Sequence, residues 1–90
     1  MSTKTKKKQS VPKWFTGMIY DKGETVTNPF SGETYDLNGV ELSMYDFIMG
    51  SQYVMEVAPK TVTSKQINEF HKALRWFQQN NIDAYMVLLD

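Results

Sequence analysis

The sequence predicts a small α+β domain, an antiparallel sheet with two helices packed on one face. Three observations point there. The first half holds short aromatic and β-branched runs separated by Gly, Pro and Asn. The second half repeats its apolar residues at helical spacing. Both patterns begin only after a lysine-rich leader that has no apolar period before Val11.

That leader, residues 1–13, carries Lys4, Lys6, Lys7, Lys8 and Lys13. These are five of the chain's ten cations, and none of its ten acids lies there. The formal net charge of +0 therefore splits into a basic leader and an acidic body. A segment of this composition buries too little apolar surface to offset the entropy of ordering it. The expected organisation is a disordered basic arm over 1–13 and one compact domain over 14–90. Six methionines, five Phe, five Tyr and two Trp make a dense core possible in so short a chain. The absence of cysteine excludes disulfides and thiolate metal sites. No apolar run approaches the roughly 18 residues of a membrane span, and no apolar segment follows the leader as in a secretory signal. A soluble, intracellular chain is expected.

Trp14-Phe15-Thr16-Gly17-Met18-Ile19-Tyr20 reads as a strand. Asp21-Lys22-Gly23 is a turn, and Glu24–Thr27 is a more polar strand at a sheet edge. Asn28-Pro29-Phe30-Ser31-Gly32 is a second turn. It either exposes Phe30 as a hydrophobic finger or, as expected, folds Phe30 into the core. Thr34–Leu37 then meets Val40–Leu42 across Asn38-Gly39, a strong hairpin signal. Ser43 and Asp46 resemble a capping box, with Leu42 and Phe47 placed as a hydrophobic staple. They open a helix over 44–55, which Gly50 weakens locally. Ala58-Pro59-Lys60 breaks the chain. Thr63 and Gln66 form a second capping-box pair at the head of a helix over 64–79, and Asn80-Asn81 stops it. Ala84–Leu89 is apolar on both faces. Length and flanks favour a buried strand inserted beside Trp14–Tyr20, although periodicity does not separate strand from helix.

On the second helix, Ile67, Phe70, Leu74 and Phe77 form the expected core stripe, opposite Lys65, Asn68, Lys72, Arg75 and Gln79. Trp76 projects on the polar side, near Lys65, Glu69 and Lys72. An indole beside cations either anchors a partner or is covered by the tail, a loop or a subunit contact. On the first helix, Met44, Phe47, Ile48, Val54 and Met55 make one face and Tyr45, Met49, Gln52 and Tyr53 another. One of these two faces is expected to stay exposed, and Tyr and Met are favoured at interfaces.

Catalytic chemistry is missing from the sequence. His71 is the one histidine and has no second histidine or cysteine to share a metal. It reads as a partly buried structural residue. Asp36, Glu41 and Asp46 are spread around the hairpin and helix start. Capping accounts for Ser43, Thr63 and Ser64, and no glycine pattern matches a phosphate loop. No catalytic residue, metal ligand or cofactor is assigned, and no small-molecule substrate or membrane partner is expected. The arm's Lys4, Lys6, Lys7 and Lys8, with Lys65, Lys72 and Arg75, could contact phosphates weakly. The acidic body, and an arm without arginine for base contacts, argue against specific recognition.

The run Val11-Pro12-Lys13-Trp14-Phe15-Thr16-Gly17, the run Asn28-Pro29-Phe30-Ser31-Gly32-Glu33, the run Glu41–Ile48 and the closing Ala84–Asp90 resemble small uncharacterised proteins of marine tailed cyanophages. The resemblance covers residues 11–90. It carries no activity and no binding residues, and it implies a viral protein made in the cytoplasm of an infected bacterial host. The sequence thus leads to a non-enzymatic accessory protein that binds a host protein or itself through Tyr45, Met49, Tyr53, Lys72 and Trp76. The alternatives are a nucleic-acid-associated protein acting through the lysine arm and a minor virion component.

Overall fold

The structure, a computed structural model, describes residues 9–90; Lys4, Lys6, Lys7 and Lys8 lie outside it. Strands β1 (Glu24–Thr27) and β2 (Thr34–Leu37) precede helices α1 (Gly39–Val57), α2 (Ser64–Asn80) and α3 (Ile82–Leu88). The α+β class holds, but with three helices where two were expected, and with a two-stranded sheet.

The sheet is one hairpin, with Glu24 opposite Leu37 and Thr27 opposite Thr34. Its turn is the Asn28–Gly32 segment. The Asn28 amide donates to Glu33 O (2.8 Å), and Gly32 N donates to Asn28 O (2.9 Å). Asn28 Oδ1 accepts from the amides of Phe30 and Ser31, and Gly32 closes the loop at φ +81°. Phe30 is 97% exposed at the tip and does not fold into the core as expected. The turn's own hydrogen bonds fix its direction outward.

Asn38-Gly39 does not join two strands. Asn38 is the N-cap of α1: its side chain accepts from Glu41 N, and Glu41 Oε1 accepts from Asn38 N. The helix therefore starts five residues before Met44. Ser43, expected as the cap, is buried inside it and donates to Gly39 O (2.8 Å). Leu37 and Leu42, both buried, flank the cap where a hydrophobic staple sits, in place of Leu42 and Phe47. Gly50 does not interrupt the helix.

Residues 14–20 form no strand; they run as an irregular strap along α1. Tyr20 N donates to Ser43 Oγ (2.8 Å). The strap's backbone lies directly on the first turn of α1, where a Cβ on Gly39 would come within 2.5 Å of Tyr20 O. The Trp14 and Phe15 rings pack against Phe47, at centroid distances of 6.0 and 5.3 Å. Apolar rings seated on a helix take the place of a backbone ladder. Residues 9–13 of the leader are held on the body as well. Gln9 Nε2 donates to Glu41 Oε2 (3.0 Å), and Gln9 Oε1 accepts from Asn38 Nδ2 (3.0 Å).

A 3₁₀ turn over Pro59–Thr61 links α1 to α2. The Thr63–Gln66 capping box forms as expected. The buried face of α2 is Glu69, Ala73 and Phe77. Phe70 and Leu74 are half-buried, and Ile67 is exposed. The core stripe is thus rotated by about 80° from the apolar reading, at 100° per residue. Ala84–Leu89 is not a strand either. Asn81 ends α2 and caps α3, its Oδ1 accepting from Ala84 N (3.1 Å). Ala84 and Leu88, one helical turn apart, are both buried.

Leu37, Leu42, Met44, Ile48, Ala73, Phe77, Ala84 and Leu88 make one core. At one end of it, Glu41 is 5% exposed. Its Oε2 accepts from Gln9 Nε2 and from Asn81 Nδ2 (2.9 Å). Tyr35 Oη donates to Asn81 Oδ1 (3.3 Å). The start of α1 therefore lies beside the end of α2, so these helices run antiparallel. The leader, the start of α1 and the α2–α3 junction meet at this one carboxylate, and the hairpin joins through Tyr35 and Asn81.

Candidate functional site

Two grooves border the strap, one lined by Thr16 and the other by Trp14. The first has a volume of ≈ 400 Å³ and lies between α1 and α2, at the half remote from Glu41. Phe47, Val54, Met55 and Val62 give it apolar walls, Asp46 stands on its lining, and Gly50 forms part of the wall. Nothing lies within 4 Å of where a Gly50 Cβ would be. Next to it Tyr53 (65% exposed), Val57 (58%) and Ile67 (41%) are open to solvent. The nineteen residues of α1 contain Glu41, Asp46 and Glu56 and no Lys, Arg or His. This groove therefore sits in an acidic, apolar neighbourhood.

The second groove, ≈ 270 Å³, lies between the strap and α2 and is lined by Pro12, Trp14, Lys72, Arg75, Trp76 and Gln79. Both tryptophans of the chain face it, with two cations and no acid. Among the described residues, Lys65–Glu69 (2.8 Å) is the one ion pair; Lys72 and Arg75 have none. The only acid on α2 is thus already matched by Lys65.

The residues expected to bind protein separate between these places. Lys72 and Trp76 share the second groove. Trp76 is half-buried, edge-on to Phe77 at 5.8 Å, with the leader's Pro12 beside it. It is a groove wall packed against the core rather than a free anchor. Tyr45 and Met49 are half-buried on α1, and Gln52 and Tyr53 of that face are exposed. Burial raises the Tyr45 hydroxyl above its ordinary 10.0. Trp14 and Val54 were not assigned to a site from the sequence, whereas Arg75 was named there only as a weak phosphate contact. The signal for Trp14 was hidden because its run read as a strand.

His71 is exposed, its ring 5.7 Å from Phe70, and not partly buried as expected; the α2 rotation turns it outward. Asp36 accepts from Thr25 Oγ1, Glu41 is bound in the polar hub, and Asp46 stands on the first groove beside the strap. Burial, followed by the Asp46 carboxylate, raises the Tyr20 hydroxyl above 10.0. Among the described residues, no group of three or more His, Cys, Asp or Glu side chains could hold a metal ion. Among the described residues, no helix is long and apolar enough to cross a membrane. No protein-family model matches the chain, and no curated protein or solved structure matches it.

Proposed function

We propose that this chain is a non-enzymatic accessory protein that docks a protein partner on the α1 side of the first groove. The occupant is a segment with an apolar anchor flanked by Lys or Arg. The carrying observation is charge complementarity: α1 has no cation, and Asp46 and Glu56 accompany exposed Tyr53, Val54 and Val57 next to an open cleft. An apolar side chain entering the cleft supplies the burial, and the acids select its neighbours. The likeness of residues 11–90 to cyanophage proteins supports a phage product that meets its partner in the cytoplasm of an infected bacterium.

The test uses two designed helical peptides, one of Leu and Lys and one of Leu and Glu, titrated against the full chain by fluorescence anisotropy. The Leu/Lys peptide is expected to bind. Gly50→Leu, which fills the cleft without a clash, and Val54→Asp should each weaken it at least tenfold. Equal binding of both peptides, or indifference to Gly50→Leu, rejects the reading. Self-association in sedimentation that Val54→Asp abolishes assigns the groove to a second copy, and also rejects it.

A further inference from the structure

The second groove differs from the first in chemistry and position. Its walls are two indoles, and its rim is two cations without a counter-charge. Lys13, exposed, lies between Pro12 and Trp14 on the strap. Through Gln9, which donates to Asn80 O (3.4 Å) at the end of α2, this wall is joined to the run that contains Lys4, Lys6, Lys7 and Lys8. Half of the chain's positive charge is therefore covalently continuous with one wall of an indole-lined groove. The acids of the body are Asp21 before the hairpin, those of the hairpin and α1, Asp83 and Asp90 at the C-terminal end, and Glu69, which pairs with Lys65.

Flat π-faces beside unpaired cations suit a ligand that carries planar rings on an anionic backbone. Stacking accepts any base, and cations follow the phosphates without reading sequence. A cleft of ≈ 270 Å³ has room for a flat ring but not for a duplex. We infer that the groove formed by Trp14, Trp76, Lys72 and Arg75 is a subsite for single-stranded nucleic acid. This site is separate from the protein-docking groove and does not depend on it.

The chain has only two tryptophans, and both line this groove. Intrinsic tryptophan fluorescence therefore reports on it directly. The full chain is titrated with dT20, with rU20, with a 20-bp duplex and with poly-glutamate, over a salt series. Quenching by dT20 or rU20, at least tenfold stronger than by duplex or poly-glutamate, is expected. Lys72→Gln with Arg75→Gln, both at exposed positions, should weaken single-strand binding about tenfold or more. It should also lower the salt slope by about 1.4, at about 0.7 per phosphate contact on a single strand. Trp14→Leu, confirmed folded by far-UV circular dichroism, should weaken single-strand binding and reduce the quenching to what Trp76 alone reports. The inference fails if single strands bind without quenching, or if the Lys72/Arg75 double variant binds like the parent while removal of residues 2–8 abolishes binding. Equal affinity for poly-glutamate, which would mark an acidic-peptide site, also overturns it, as does no binding at low salt.

Discussion

Replacing Glu41 by Gln exchanges one oxygen for an amide nitrogen and tests the polar hub with almost no change in shape. In the native arrangement Oε1 accepts from Asn38 N, and Oε2 accepts from both Gln9 Nε2 and Asn81 Nδ2. All three partners are donors. A glutamine amide has one acceptor atom, so one side must face donors with a donor. If the amide keeps the Asn38 bond, two bonds to Gln9 and Asn81 are lost; if it flips, the capping-box bond from Asn38 N is lost, while Asn38 Oδ1 still accepts from the backbone N of residue 41. A hydrogen bond to a charged group is worth roughly 1.5–3 kcal/mol. The first orientation forfeits about 3 kcal/mol or more, and the flipped one loses one such bond and weakens the other two to neutral ones. A destabilisation of about 2–3 kcal/mol follows, a large share of the roughly 4–12 kcal/mol expected of a domain this size. The corresponding drop in Tm is about 15 °C, at about 4–8 °C per kcal/mol. Far-UV circular dichroism melts and urea titration measure it. A loss under about 0.5 kcal/mol would refute the view that this carboxylate ties the segments together.

Other expectations follow from single features. Gly32→Ala forces an L side chain into φ +81°, with nothing within 4 Å of the new Cβ, so backbone strain alone should cost about 1–2 kcal/mol in urea unfolding. Phe15→Ala removes a half-buried ring from Trp14 and Phe47 and should cost about 2 kcal/mol, near half the range for a fully buried Phe. Lys65→Ala breaks a pair whose lysine is 76% exposed but whose glutamate side chain is only 11% exposed, and leaving that carboxylate without its partner should cost about 1–3 kcal/mol in urea unfolding. Tyr45 and Tyr20 ionise above 10.0 in the fold, so the folded state holds their protons longer than the unfolded one. Their contribution is complete below pH 10 and is lost as pH rises through the raised values; ultraviolet titration should show tyrosines ionising late, joining the rest on unfolding.

The elements legible in the sequence were those whose signal is local. The Thr63–Gln66 box, strands Glu24–Thr27 and Thr34–Leu37, and the Asn28–Gly32 turn all use neighbours within a few residues. Where one residue serves two local motifs, the choice rests on distant partners. Asn38-Gly39 suits a hairpin, and Asn38 with Glu41 suits a helix cap. The helix wins because Leu42, Met44 and Ile48 then reach the core, and Gly39 lets the strap pass over it. Asn81 was legible as a helix stop, but the same side chain starts the next helix. The α2 face was misjudged because Ala73 weighs little in an apolar pattern and Glu69 counts as polar, yet close helix packing favours a small residue. Of the candidate sites, the Lys72–Trp76 pairing was visible from helix spacing. Trp14 was not, since only the strap's tertiary path brings it there.

Asn28 Nδ2 donates to Val87 O (2.9 Å), so the hairpin turn is pinned by the last helix. The same helix begins at the residue that feeds Glu41. A nascent chain that has emerged only through α2 already holds the strap's partners on α1, Ser43 and Phe47, but its hairpin turn still lacks the Val87 carbonyl. The hairpin is therefore the segment whose anchoring waits for α3, the last element made.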